Sequence, residues 1–113
     1  MTWEEAAALG LRLPGAGAGT SYGAPALKAR GKLLVRYRPE IEALVLIDVP
    51  AEERETLVEA APEVFFCTDH YRDHPIVLAR LAALDAARLK PFLERRWRAI
   101  AGKRDLAAWG GWG

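Results

Sequence analysis

The stretch Ala26-Leu27-Lys28-Ala29-Arg30-Gly31-Lys32-Leu33-Leu34-Val35-Arg36-Tyr37-Arg38 decides the fold class. Leu27 and Ala29, then Leu33, Val35 and Tyr37, alternate with Lys28 and Arg30, then Leu34, Arg36 and Arg38. A period of two sends successive side chains to opposite faces of a strand. With Gly31-Lys32 as the turn, the segment predicts an antiparallel hairpin with one face on a core and one in water.

Downstream, Arg38-Pro39-Glu40 predicts a turn and ALVLID (43–48) a third strand. Pro50 suits a first helical position, AEERETLVEAA turns Leu57, Val58 and Ala61 inward, and Pro62 closes that helix. VFFCT (64–68) reads as a short buried strand, DHYRDHP (69–75) as a polar loop and IVLARLA (76–82) as a fifth strand. Asp85 caps a long helix whose stripe is Leu89, Phe92, Leu93, Trp97 and Ile100. Pro91 inside it predicts an irregular first turn or a kink. Residues 103–113 read as a short turn and a frayed tail.

Upstream, Thr2 and Glu5 form a capping box, and Pro14-Gly15 ends the helix it opens. GAGAGTSYGAP (15–25) lacks the Lys-Ser/Thr and the flanking strand and helix of a phosphate-binding loop, so it reads as a linker or the approach to an edge strand. Strands that pair locally, between helices, predict one α+β domain over residues 1–113. It has two layers, an antiparallel sheet of about five strands with helices on one face.

With 113 residues, 51% hydrophobic and 27% charged, the chain can bury one core and is not a disordered sequence. No apolar run approaches the ~18 residues of a membrane span. Cys67 is the only cysteine, which excludes an internal disulfide and suits a reducing compartment. The first fifteen residues hold two acids and no basic n-region, unlike a secretory leader. The expectation is a cytoplasmic protein with no membrane contact.

The net charge of +1 conceals three blocks. Residues 26–38 hold five basic side chains and no acid. Residues 39–63 hold eight acids against Arg54, and residues 85–104 hold seven basic residues against Asp85 and Glu94. Blocks of this kind bear on association rather than fold.

Candidate chemistry is sparse. Asp69, His70, Asp73 and His74 offer four metal-ligand types, but they precede Pro75 in a loop, so helical spacing cannot be assumed, and no third cluster completes a set. Cys67 follows two phenylalanines, where a buried structural thiol is the commoner outcome than a nucleophile paired with His70. Ser21 is the only serine and has no GxSxG context. No catalytic constellation, resident metal or cofactor is expected. The basic strands are the better lead. Lys28, Arg30, Arg36 and Arg38 should project from one open sheet face, joined by Arg80 if the register matches, and such a face contacts phosphates without reading bases. A merely solvated face would use the same residues. The alternative is a protein-interaction or small-ligand-binding module, in which the open face or the acidic helix meets a partner and Leu34 among those charges offers a self-complementary patch for a homodimer, so the chain is expected as a monomer or homodimer.

Several strings resemble the MmcQ/YjbR family: Leu13-Pro14-Gly15, the hairpin from Ala26 to Leu33, Glu63-Val64-Phe65-Phe66, Thr68-Asp69-His70-Tyr71, Val77-Leu78-Ala79-Arg80-Leu81, and the helix carrying Trp97. The resemblance implies a frataxin/CyaY-like fold and a non-enzymatic domain that binds double-stranded DNA through its sheet and hairpin loops. It points to Lys28, Arg30 and Lys32 on the hairpin and to Thr68, His70, Tyr71 and Arg72 in the loop, and it supplies no catalytic residue.

Overall fold

Alternation in the hairpin and helical stripes on either side of it produce a sheet with helices on one face. The computed structural model describes residues 1–113. The chain runs α1 (Trp3–Gly10), β1 (Ala16–Ser21), β2 (Ala24–Ala29), β3 (Lys32–Arg38), β4 (Ala43–Ile47), α2 (Ala51–Ala60), β5 (Phe65–Phe66), β6 (Ile76–Arg80), α3 (Ala86–Ile100) and α4 (Lys103–Ala108). Six strands form one antiparallel sheet in the order β1-β2-β3-β4-β6-β5. The α+β class with its antiparallel sheet is as the sequence predicts.

The sheet gains a sixth strand over the five expected. β1 comes from the glycine-rich stretch, which alternates too little in polarity to read as a strand, and it pairs along its whole length from Ala16↔Ala29 to Ser21↔Ala24. The turn between β1 and β2 is Tyr22-Gly23, with φ of 50° and 76°. Two successive residues with positive φ are what a two-residue hairpin turn demands.

Register corrects a second expectation. Leu27 pairs with Val35 but Lys28 pairs with Leu33, so β3 bulges by one residue at Leu34. The extra residue breaks strict alternation. Leu34 and Val35 therefore both enter the core at 1% exposure, while Leu33 is only half-buried. Leu34 is not part of an exposed patch, and the self-complementary surface imagined around it is absent.

The main core lies between the sheet and the helices. Trp97 is fully buried among Leu13, Leu27, Leu34, Leu44 and Leu89, and its Nε1 donates to the Pro14 carbonyl at 2.8 Å. That bond ties the end of the α1 segment to α3. Gly10 lets α1 approach β2 closely, since a Cβ there would fall 2.4 Å from Leu27 Cδ1. The Thr2–Glu5 capping box and the Asp85 cap both form. α3 continues through Pro91, which has no N–H to return to the Ala87 carbonyl. Residues 103–113 pack back on the domain: α4 brings Leu106, Trp109 and Trp112 against the core, and Arg12 donates to the Trp112 carbonyl. No helix is long and apolar enough to cross a membrane.

Candidate nucleic-acid interface

The face of the sheet without helices carries the side chains that chemistry singles out. Directly paired residues share a face, so Arg38, Ala43 and Arg80 form one row across β3, β4 and β6. Arg36, Ala26 and Gly19 form the row beside it. The register thus brings Arg80 onto the same face as Arg36 and Arg38. Lys28 joins them on β2, its stem lying beside Gly19.

This face is not open across its middle. A 3-10 turn at Asp69–Tyr71 folds over it and buries Tyr71, which forms a small second core with Val45 and Leu78. Tyr71 is therefore unavailable for stacking on a ligand. Its hydroxyl accepts from Arg36 Nη1 at 3.2 Å, and the Arg38 guanidinium lies 5.8 Å from its ring centroid. Val45 and Ile47 on β4 and Ile76 and Leu78 on β6 supply the apolar surface that this turn covers.

The turn is held from below by Arg54 of α2. This guanidinium is buried and donates to four carbonyls, those of Tyr71, Arg72, His74 and Ile76, at 2.9–3.2 Å. No carboxylate pairs with it. Sequence reading counts Arg54 only as the lone base in an acidic block, and nothing in its neighbours signals a role that depends on carbonyls about twenty residues later.

Arg36 and Arg38 have different surroundings. Arg36 sits 5.2 Å from the centroid of the Tyr22 ring, and its buried Nε makes no hydrogen bond. Arg38 pairs with Glu40 at 2.5 Å. The Glu40 carboxyl is held below the usual range by its own backbone amide and then by Arg38. Half of the local charge is therefore already balanced, and Arg36 is the more available cation.

Tyr22 is the residue that sequence reading misses. It is 94% exposed at the tip of the β1–β2 hairpin, in a left-handed conformation that favours Asn, Asp or Gly. The available signal was the Ser-Tyr-Gly triplet between segments that pair, but β1 was not legible as a strand. Tyr22, Arg36, Arg38, His70 and Tyr71 enclose a cleft of about 480 Å³. A second cavity of about 300 Å³ shares Tyr22, Arg36, His70 and Tyr71, and Leu33, Val45 and Ile76 add apolar wall to it.

Other expected residues lie apart from this cleft. Arg30 occupies the β2–β3 turn at φ 52°, and a Cβ on Gly102 would meet its Cδ at 3.5 Å, so it leans toward the end of α3 rather than onto the Arg36 face. The turn is Arg30-Gly31, one residue earlier than expected, and its positive φ takes Arg30 out of the strand alternation. Lys32 is exposed beside that turn. Arg72 is exposed and pairs with Asp69. Arg80 donates to the Pro62 carbonyl at 3.0 Å and stacks 4.1 Å from the Phe66 centroid, at the far side of the face. The Thr68 hydroxyl is buried without a partner, and exposed His70 meets the Tyr71 ring edge-on. Cys67 is exposed, contrary to expectation, because β5 ends at Phe66 and leaves the thiol beyond the strand. Asp69, His70, Asp73 and His74 do not converge into a group of three that could hold a metal ion.

No protein-family model, curated protein or solved structure matches the chain.

Proposed function

We propose that this chain is a non-enzymatic nucleic-acid-binding domain that grips backbone phosphates on the helix-free face of its sheet. The observation that carries the reading is the juxtaposition of Arg36 and Arg38 on one strand with Lys28 beside them and a fully exposed Tyr22 above. Guanidinium groups fork around phosphate oxygens, and an aromatic ring next to them accepts a base or a sugar face. The resemblance to the MmcQ/YjbR family, in the hairpin and the Thr68–Tyr71 string, points the same way. The charge blocks suit it as well, because the acids of α2 lie on the helical side and not on this face.

Binding through phosphates releases counterions, so it weakens linearly on a logarithmic salt scale. Anisotropy of a labelled oligonucleotide titrated at several salt concentrations measures that slope. For the Arg36→Ala, Arg38→Ala double variant the slope falls by about one to two, a full unit for Arg36 and less for Arg38, whose charge Glu40 already balances in part. An unchanged slope and affinity in the double variant would overturn the assignment of this face.

A further inference from the structure

We infer that the cleft beside Tyr22 takes one unpaired nucleotide of a single strand, with its phosphate on Arg36 and Arg38 and its base in the apolar half against Tyr22. This inference rests on the phosphate-binding reading above and names the form of nucleic acid that the same site prefers.

The two cavities on this face are neighbours with four walls in common, and their remaining walls differ in kind. One adds the Arg38 guanidinium. The other adds Leu33 and Ile76 over the buried Val45, with Ser21 and His74 at its edge, so it is the more apolar of the two without being free of polar groups. The combined groove is thus cationic at one end and apolar at the other, with Arg36 at the junction. A nucleotide has the same polarity: an anionic phosphate joined through a sugar to a flat base with apolar faces.

Neither half suits a duplex alone. Base pairs in a duplex stack on one another and cannot enter a pocket unless they are flipped out. An unpaired base is free to enter, and an exposed aromatic ring beside the opening provides a stacking surface indifferent to sequence. Tyr22 has one ring face toward the Arg36 guanidinium and nearly all of its surface in solvent.

The local backbone supports a role outside folding. A two-residue turn with positive φ at both positions is served best by Asn-Gly, and a tyrosine there buries nothing in this protein. A side chain that departs from the local backbone preference and packs on no core is a candidate for use rather than for folding.

The test compares a labelled single strand of about twelve thymidines with a hairpin duplex of equal nucleotide number, by anisotropy at low salt. The proteins are the parent, Tyr22→Phe and Tyr22→Asn. Asn keeps the hairpin turn, so loss of binding cannot be blamed on unfolding. The parent is expected to bind the single strand more tightly than the duplex. Tyr22→Asn is expected to lose about tenfold on the strand with little change on the duplex, and Tyr22→Phe to retain parental affinity, as the removal of one stacked base predicts. Free thymidine monophosphate competes for the same groove and separates a strand site from a mononucleotide site. Displacement only at far higher nucleotide concentration supports the strand, and displacement at equal concentration overturns it in favour of a free nucleotide. Equal binding of strand and duplex, insensitive to Tyr22→Asn, overturns the unpaired-base slot while leaving the phosphate-binding face intact. Absence of binding to either nucleic acid overturns both.

Discussion

At the scale of single residues, Arg54 is the side chain on which the candidate site depends most. A buried guanidinium with four carbonyl acceptors holds the turn that carries His70 and Tyr71 over the sheet. Replacing it leaves those carbonyls short of a donor inside the protein, at a cost of about 3 kcal/mol. Arg54→Met is therefore expected to lower the urea midpoint by a corresponding amount and to raise amide exchange across residues 69–76 before the rest of the sheet. Uniform exchange across the whole domain would contradict that role. A milder effect sits at Glu53, where two hydrogen bonds from Arg95, opposed by slight burial, hold the carboxyl below the usual glutamate range. A lowered folded-state value means stability that is present above the unfolded value and lost as pH falls through the folded one. Glu53→Gln is expected to be less stable than the parent near neutrality by under about 1 kcal/mol, given the exposure of the pair, and to converge with it in acid once pH falls below the lowered folded-state value. Thermal melts at stepped pH measure the gap, and a gap that persists in acid would contradict the ion pair as its source.

At the scale of elements, the sheet shows where sequence is informative and where it is not. β3, β4 and β6 carry branched or alternating apolar side chains, and their strand character is plain from composition. β1 is built from Ala, Gly, Thr and Ser, whose small side chains show no amphipathic pattern, and only its pairing with β2 makes it a strand. The bulge at Leu34 is equally hidden, because Leu33-Leu34-Val35 is apolar at every position and any register through it looks acceptable. The consequence is measurable. Leu34→Ala removes a fully buried side chain and is expected to cost about 3 kcal/mol, whereas Leu33→Ala at the half-buried rim costs about 1 kcal/mol. Denaturant melts of both variants compare them, and the reverse order would restore simple alternation. The C-terminal segment adds contacts that composition does not signal. GGWG suggests fraying, yet Trp109 and Trp112 meet ring to edge at a centroid distance of 5.0 Å, and Trp109 meets Trp97 in the same way. Those aromatic contacts depend on rings brought together by α4 and are not visible in the glycine-rich composition.

At the scale of the whole molecule, the two basic blocks lie on different sides of the sheet, and each is ion-paired with acids of the block between them. The hairpin places Lys28, Arg36 and Arg38 on the helix-free face, and Arg30 and Lys32 at the turn beyond it. The second basic block lies on α3 and α4, where Arg95 is tied to Glu53 and Arg98 to Glu94. With the Arg96–Asp48 pair they balance three of its seven charges and leave Arg88, Lys90, Lys103 and Arg104 without carboxylate partners. Of the site, the cations were legible from the alternating hairpin. The aromatic partner Tyr22 and the anchor Arg54 were not, because one depends on a strand made of small residues and the other on acceptors distant in the chain.

The central claim, that nucleic acid meets this protein on the helix-free face, is tested most directly by amide chemical-shift mapping during titration with an oligonucleotide at low salt. The account predicts perturbations at Tyr22, Lys28, Arg36, Arg38 and His70, with α3 and α4 unaffected. Perturbations centred on Arg88, Lys103 and Arg104, or none at saturating oligonucleotide, would contradict it.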